Sequence, residues 1–327
     1  MMLLRLVPEN TKINFMAARK VAIAFSAILL VASIALFAVQ SLNYGIDFKG
    51  GISVEVQMED GKAVPMDEVR QVVNDMGYVG ASVREFGRQD DAMIRIERQP
   101  GDADAQSAVI QRVREELPAA IPGLTFLDGN FISPTVSEEL KRDGTLAVTI
   151  AVIAVLIYIW FRFEWQFGLG AVVALVHDVL LTVGFFAVTR LEFNLSIIAA
   201  ILTIIGYSLN DTVVVYDRIR ENIRKFRKMP MDELINVSLN QTLSRTLMTS
   251  LTTLLALFSL FFLGGPAIQG FTAAMIWGIV IGTYSSIFIA SPLLLSFNLR
   301  REAMIIEDEK DDPTVDKSRP NNPFEQM

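Results

Sequence analysis

Residues 206–212 read Gly-Tyr-Ser-Leu-Asn-Asp-Thr, and they lie inside an otherwise apolar segment, 195–215. A helix needs roughly 20 mainly apolar residues to cross the roughly 30 Å hydrocarbon layer of a membrane. A charged side chain at that depth costs roughly 2.5 to 3.5 kcal/mol. The Asp211 carboxylate therefore predicts a functional or structural partner within the membrane.

Five further segments have the length and apolarity of a spanning helix: 20–39, 145–161, 168–188, 246–263 and 271–297. The composition agrees, because 52% of the residues are hydrophobic and only 20% are charged, whereas a soluble domain is about a quarter charged. The first segment lacks a small-residue cleavage site and is interpreted as a retained anchor. We expect six transmembrane helices.

Several chemistries are excluded by composition. The chain has no Cys and a single His, His177, which excludes disulfide frameworks, Cys/His zinc sites and iron–sulfur clusters. The formal net charge of -7 argues against nucleic-acid binding, which needs a basic surface. We expect no enzymatic reaction, no cofactor and no metal.

The loop at residues 40–144 has a soluble pattern and about 100 residues, a normal domain size. Ile52, Val54 and Val56 alternate with polar residues, as in a strand with one buried face. The predicted order of elements is β-α-β-β-α-β, which is that of a ferredoxin-like α+β domain. Such a domain is either a rigid module for contact with a partner or a polypeptide, or a cap that packs on the membrane helices.

Orientation follows from the short loops, where cytoplasmic sides carry an excess of Lys and Arg. Most of these residues fall before the first span, in residues 217–245 and after the last span. We therefore expect both termini, residues 1–19 and 300–327, in the cytoplasm, and residues 40–144 outside. In the predicted domain division, transmembrane helix one is at 20–39 and helices two to six lie within 145–299.

Two cytoplasmic regions have characteristic patterns. Residues 217–245 are basic and then amphipathic, which predicts helices lying at the cytoplasmic face, attracted to anionic headgroups. The tail at 300–327 is acidic and contains prolines, which is typical of a disordered segment.

Polar residues in the neighbouring spans are candidates to accompany Asp211. Arg245 begins a polar or small series that continues at 249, 252, 256 and 259, steps that trace one helix face. Because the fourth span ends and the fifth begins on the same side, we expect Asp211 and Arg245 to lie at comparable depth and to pair. Such a pair is either a proton carrier, whose charge state changes with helix position, or a static ion pair that fixes helix register.

A second candidate is Asp178, near the middle of the third span. It either takes part in proton coupling or makes a helix-to-helix hydrogen bond. For the adjacent His177, a packing or hydrogen-bonding role is favoured over proton relay. In the last span, the small residues Gly278, Gly282 and Ser286 favour close helix packing over a site.

Four stretches jointly resemble a known family: GIDFKGG (45–51), ALVHD (174–178), GYSLNDTVVVYDR (206–218) and NQTLSRT (240–246). They are similar to the SecF family of the bacterial Sec protein-export machinery, within the resistance-nodulation-division superfamily. The resemblance covers nearly the whole chain to about residue 301. The glycines of the first stretch we interpret as a tight turn from membrane to domain.

The resemblance implies a role and a set of partners. A chain of this family pairs with SecD and uses the proton-motive force to promote late translocation of unfolded preproteins through the SecYEG channel with SecA, and YajC commonly accompanies it. The coupling residues of the family match Asp211 and Arg245, with Asn210 and Asp178 as supporting positions. Antiporter relatives have two adjacent acidic residues where this chain has Asn210 beside Asp211, so acidic groups from the partner are expected.

Two other functions are alternatives. The first alternative is that the chain is half of a proton-driven exporter of small molecules, as other members of the superfamily are. The second is that it is a membrane scaffold that transports nothing. One outside domain of about 100 residues leaves little room for a two-domain drug-binding region, which favours protein export over the first. The Asp211 and Arg245 pattern argues against the second.

Overall fold

A computed structural model describes residues 11–86 and 88–296. Six of its helices are long and apolar enough to cross a membrane, and a four-stranded sheet lies between the first and the second of them. The predicted fold class, a six-helix membrane protein with an α+β domain after the first helix, is confirmed. The predicted disordered tail, 300–327, and the first ten residues of the predicted cytoplasmic segment, 1–19, lie outside the described residues.

The elements follow one another in the order of the chain: α1 (Phe15–Gln40), α2 (Ile46–Lys49), β1 (Gly51–Met58), α3 (Met66–Asp75), β2 (Ser82–Phe86), β3 (Arg88–Glu97), α4 (Ala103–Ala120), β4 (Leu124–Ile132), α5 (Pro134–Arg162), α6 (Trp165–Thr189), α7 (Leu195–Lys225), α8 (Met231–Leu263), α9 (Pro266–Ser285), a π-helical turn (Ser286–Ala290) and α10 (Ser291–Ser296).

The inserted domain, residues 45–132, has the predicted order of strands and helices, with the short helix α2 placed before it. Its sheet is antiparallel with strand order β2-β3-β1-β4, so that β1 and β3 are central. Apolar residues alternate along β1, and Ile52, Val54 and Val56 are fully buried. Side chains of α3 and α4, among them Val73 and Leu117, pack against them, because the helices cover one face of the sheet.

Two glycines make the turn into the domain. Gly50 and Gly51 have φ values of +74° and +144°, in the region that side chains rarely adopt. A Cβ on Gly51 would also lie 2.7 Å from the Ile96 carbonyl oxygen of β3. The prediction of a tight glycine turn between membrane and domain is confirmed.

The membrane part, α1 with α5 to α10, divides into inner and outer helices. In α6, α7 and the last span, 56, 44 and 61% of the most apolar stretch is buried inside the chain, against 11, 11 and 17% in α1, α5 and α8. Small residues bring α9 close to α7: a Cβ on Gly278 would collide with Ile204, and one on Gly282 would lie 3.3 Å from the Ser208 Cα. The predicted close packing of this series is confirmed.

Three spanning helices are longer than their apolar segments. α5 begins at Pro134, since Ser133 caps it through a hydrogen bond to Val136 N and proline suits the first helical position. α7 runs on to Lys225, and α8 starts at Met231. The helices predicted within 217–245 are therefore continuations of α7 and α8, and not separate helices.

α7 and α8 extend beyond their apolar segments because the apolar side of residues 217–245 is buried. Leu234, Ile235 and Leu239 pack in one core with Ile219 and Ile223, so the two helices continue side by side beyond the apolar spans. Some of the basic residues serve this packing. Arg220 binds Glu164 at 3.1 Å, and Arg162 binds Asp217 at 2.6 Å, which ties the α5–α6 loop to α7.

The last span contains a wide turn. Five residues, Ser286–Ala290, are π-helical, and the Ser291 hydroxyl donates to the Ser286 carbonyl at 2.7 Å. Pro292 follows, and a proline has no N–H for the carbonyl four residues before it and its ring collides with that carbonyl. The π turn accommodates this proline without ending the span.

Candidate functional site

Asp211 lies on the buried side of α7, in the middle of the membrane part. Its side chain is 2% exposed, and its Oδ2 atom has no hydrogen-bond partner among the described residues. The Thr283 hydroxyl of α9 and the charge of Arg245 both act on this carboxylate. A carboxylate oxygen this deep and this poorly satisfied is rare in native proteins, which marks it as a candidate site.

Arg245 lies near Asp211 but does not bind it. It is exposed on α8, and no ion pair in the described part of the chain joins the two side chains, although the guanidinium acts on the carboxylate through its charge. The prediction that they lie at comparable depth on neighbouring helices agrees with this geometry. The predicted direct pair is absent, because Asp211 faces α9 while Arg245 faces outward.

An exposed polar stripe runs over α7 and α8 beside this site. We define it by residues that are exposed in the structure and polar or small: Thr203, Gly206, Asn210, Arg245, Thr249, Thr252, Ala256 and Ser259. Between the two helices, the Tyr207 hydroxyl donates to the Thr249 carbonyl at 2.9 Å and lies 2.9 Å from the Thr253 hydroxyl. The predicted single face of α8 is thus confirmed, and the Asn210 side chain lies on this outward face, whereas that of its neighbour Asp211 is buried.

Asp178 lies at the centre of a hydrogen-bond network in which both of its carboxylate oxygens have partners. The Ser208 hydroxyl of α7 and the Ser285 hydroxyl of α9 donate to its Oδ2 atom at 2.5 and 2.7 Å. His177 Nδ1 lies 2.8 Å from its Oδ1 atom. The residue is 1% exposed. Asp178 therefore connects three inner helices, which is the hydrogen-bonding alternative of the sequence prediction.

His177 extends the network toward α1. Its ring stacks on Tyr284 with centroids 6.3 Å apart, and Tyr284 donates to the Ala22 carbonyl of α1 at 2.9 Å. The Nε2 atom of His177 is buried and has no partner among the described residues. The packing and hydrogen-bonding role predicted for this residue agrees with these contacts.

Sequence reasoning did not identify the residues of α9 that complete both carboxylate sites. Thr283 lies by Asp211, and Ser285 donates to Asp178. The available signal was the run Thr-Tyr-Ser-Ser at 283–286, which interrupts an apolar span as residues 206–212 do. Only Ser286 was considered, and only as a small residue.

Comparisons with known proteins agree on one family. Residues 113–300 match the model of the protein export membrane protein SecD/SecF C-terminal family, and residues 35–61 match the SecD/SecF GG motif. The chain is 44% identical to the protein translocase subunit SecF of Rickettsia bellii, over 90% of this chain and 96% of that protein. It is also 44% identical to the protein translocase subunit SecDF of Brucella abortus, of which it spans 39%.

Solved structures give the same result. The crystal structure of SecDF from Thermus thermophilus, a translocon-associated membrane protein, matches 89% of this chain with a TM-score of 0.76 and 35% identity. A SecDF structure in a super-membrane-facing form matches 91% with a TM-score of 0.69. The chain spans 39% and 40% of the lengths of those two SecDF chains.

Proposed function

The chain belongs to the SecD/SecF family of protein export membrane proteins, and we propose that it is the subunit that, with a SecD-like partner, uses the proton-motive force to promote preprotein translocation through the Sec channel. In this role it is a proton-coupled transport subunit and not an enzyme. One observation supports the proton step most directly: Asp211 is buried at membrane depth with one oxygen unpartnered, beside an exposed polar stripe.

The proton step follows from the surroundings of Asp211. Loss of hydration favours a neutral carboxyl group, whereas a nearby guanidinium favours the charged form. Arg245 is close enough to act through its charge and is held by no direct bond to Asp211, so a small helix movement changes the balance. A membrane potential supplies about 2.3 kcal/mol per charge per 100 mV, enough to bias two such states.

The partner follows from the polar stripe. Arg245 and Asn210 are exposed at membrane depth, where lipid cannot satisfy polar groups. A second set of helices must therefore cover this face. Since the relatives called SecDF contain a region like this chain in 39% of their length, we assign the cover to a SecD-like subunit. It would also supply acidic groups, because this chain has Asn210 where antiporter relatives have a second acidic residue.

The wider setting is also part of the proposal. The likeness to bacterial Sec subunits supports a location in the bacterial inner membrane. The distribution of Lys and Arg supports cytoplasmic termini and a periplasmic inserted domain. That domain would contact the partner or the unfolded preprotein as it leaves SecYEG. SecA would supply the ATP-driven step, and YajC would accompany the complex.

Asp211→Asn tests the proton step, because it keeps the size of the side chain but replaces a carboxylate oxygen by an amide nitrogen, which does not exchange a proton at this position. We expect normal insertion and normal co-purification with a SecD-like subunit, but loss of the export that depends on an imposed proton gradient in membrane vesicles. Asp232→Asn, at the exposed start of α8, is the matched control. Undiminished gradient-driven export in Asp211→Asn would refute the proposal.

A further inference from the structure

The inserted domain rests on the membrane part through the face of its sheet that α3 and α4 leave uncovered. Along β2 and β3, Val83, Ile94 and Ile96 point to the helices of the domain and are buried. Arg84 and Arg95 occupy the opposite face, as alternation in a strand requires. This face meets the loop that joins α6 to α7, residues 190–194.

One carboxylate in that loop receives both cations. Glu192 binds Arg95 of β3 through a hydrogen-bonded ion pair and Arg84 of β2 at 3.2 Å. The Glu192 side chain is 10% exposed and that of Arg95 is 24% exposed. Charges this deeply placed remain stable only when they are paired, so Glu192 depends on the domain and the domain on Glu192.

A second carboxylate joins the same cluster to the start of α7. Asp47 of α2 accepts a hydrogen bond from Leu195 N, the first residue of α7, at 2.9 Å. Burial lowers the pKa of Arg95, and the negative charge of Asp47 opposes that effect. Two arginines of the domain thus face two carboxylates, one in the loop before α7 and one bound to its first residue.

The glycine at position 45 makes room for this cluster. A Cβ at Gly45 would lie 2.5 Å from Glu192 Oε1 and 3.2 Å from the Asn194 Cβ. Its backbone N–H donates to the Phe193 carbonyl at 2.9 Å, and Phe193 N donates to the Asn43 carbonyl at 2.8 Å. The segment after α1 is therefore held flat against the loop that contains Glu192.

The junction is polar and incompletely filled. Two cavities of about 110 and 130 Å³ border the Arg84, Arg95 and Glu192 side chains. An interface between domains that is polar and wet is typical of parts that move relative to one another. A buried charge cluster with space beside it can hold the domain in one orientation and release it without unfolding either part.

We propose that Glu192 is a clasp: a positioning residue that sets the orientation of the inserted domain relative to the start of α7. Glu192 lies three residues before Leu195, the first residue of α7, and α7 runs unbroken to Lys225 and carries Asp211. The clasp itself is a property of the fold, and its link to export rests on the proposed function.

The orientation of the domain can be measured directly. The chain has no Cys, so spin labels at Ser107→Cys on α4 and Val188→Cys on α6 would be the only labels on it, in the full chain with its co-purified partner in lipid nanodiscs. We expect Glu192→Gln and Arg95→Gln each to broaden or shift the distance distribution. The double variant should be no worse than either single one, as for two residues that share one contact. Glu115→Gln, an exposed carboxylate on α4, is the control.

A distribution in Glu192→Gln that matches the unaltered chain would overturn the clasp, whatever happens to export. So would effects of the two substitutions that simply add. In membrane vesicles with an imposed proton gradient we expect export by Glu192→Gln to fall about tenfold, the factor for about 1.4 kcal/mol of lost positioning. An altered distribution with normal export would overturn the link to α7. Asp211→Asn should leave the distribution unchanged, so its own export result tests the proposed function separately.

Discussion

Two carboxylates lie in the interior of the membrane part, and their surroundings differ. Asp178 accepts hydrogen bonds from Ser208 and Ser285 and contacts His177, so both of its oxygens are occupied. Asp211, one turn of α7 beyond Ser208, has an Oδ2 atom with no partner in the described structure. Both residues are almost fully buried, at 1% and 2% exposure.

This difference in hydrogen bonding separates a structural carboxylate from one that suits a change of state. A buried polar group that is fully bonded rigidifies its surroundings, because moving any partner leaves a costly unpaired atom. A buried group that is only partly bonded can change its charge or its partner at a smaller cost. Asp178 therefore suits a fixed joint between α6, α7 and α9, whereas Asp211 suits a group that changes state.

Removing each carboxylate in turn should give the largest contrast. Asp178→Ala leaves two hydroxyls and an imidazole unpaired, so we expect a loss of about 3 kcal/mol in the free energy of unfolding. Asp211→Ala removes a poorly satisfied group and should change that free energy little. Denaturant unfolding in detergent, on the complex with its partner, measures both. Equal losses in the two variants would show that the comparison has no energetic basis.

The hydroxyls that hold Asp178 should have smaller effects. Ser208→Ala and Ser285→Ala each remove one donor to the carboxylate, and we expect a loss of about 1.5 kcal/mol for each. Ser259→Ala, on the exposed face of α8, should stay within about 0.5 kcal/mol. If the two buried variants are as stable as this control, Asp178 does not stabilise the contact between α6, α7 and α9.

The polar stripe should affect partner binding more than folding. Thr252→Val on α8 removes an exposed hydroxyl that bonds only within its own helix, and Thr149→Val on α5 is the matched change elsewhere. We expect both to unfold like the unaltered chain. Thr252→Val combined with Asn210→Leu should reduce recovery of the SecD-like subunit on mild purification, and Thr149→Val should not. Equal recovery would place the partner on another face.

A solvent-exposed carboxylate gives the smallest effect and a reference for the other two. Lys62 bonds to Asp60 at 2.5 Å and holds the pKa of this exposed carboxyl below its ordinary value. Because the pKa is lowered by folding, the stabilisation is present at neutral pH and is lost as the pH falls through the lowered pKa. Lys62→Ala should raise the pKa of Asp60 in an NMR titration without a measurable change in melting temperature. An unchanged titration would mean that the pair does not persist in solution.

Much of this architecture could be predicted from the sequence, because it depends on local pattern. Apolar length gave the six spans, and alternation gave the strands of the inserted domain in order. The buried Asp211 was predicted from the cost of a charge in lipid. These inferences need only the residues of one segment and the properties of its solvent.

What could not be predicted depends on contacts between segments. The side of α7 that faces α9 decides that Asp211 meets Thr283 while Asn210 faces outward, and periodicity alone does not say which helix lies on which side. Glu192 lies in a short loop, and its ion pairs with Arg84 and Arg95 join it to strands that are distant in the sequence. The continuation of α8 back to Met231 depended on a core shared with α7.

The π turn of the last span has a consequence for chain length. The π turn contains one residue more than an α-helical turn. The side chains after it are therefore rotated by about 100° around the helix axis. In this phase Ser291 and Leu294 are completely buried. Deleting a single residue from 286–290 would therefore turn those side chains away from the bundle, so this helix is sensitive to its residue count at a place where its composition would tolerate substitution.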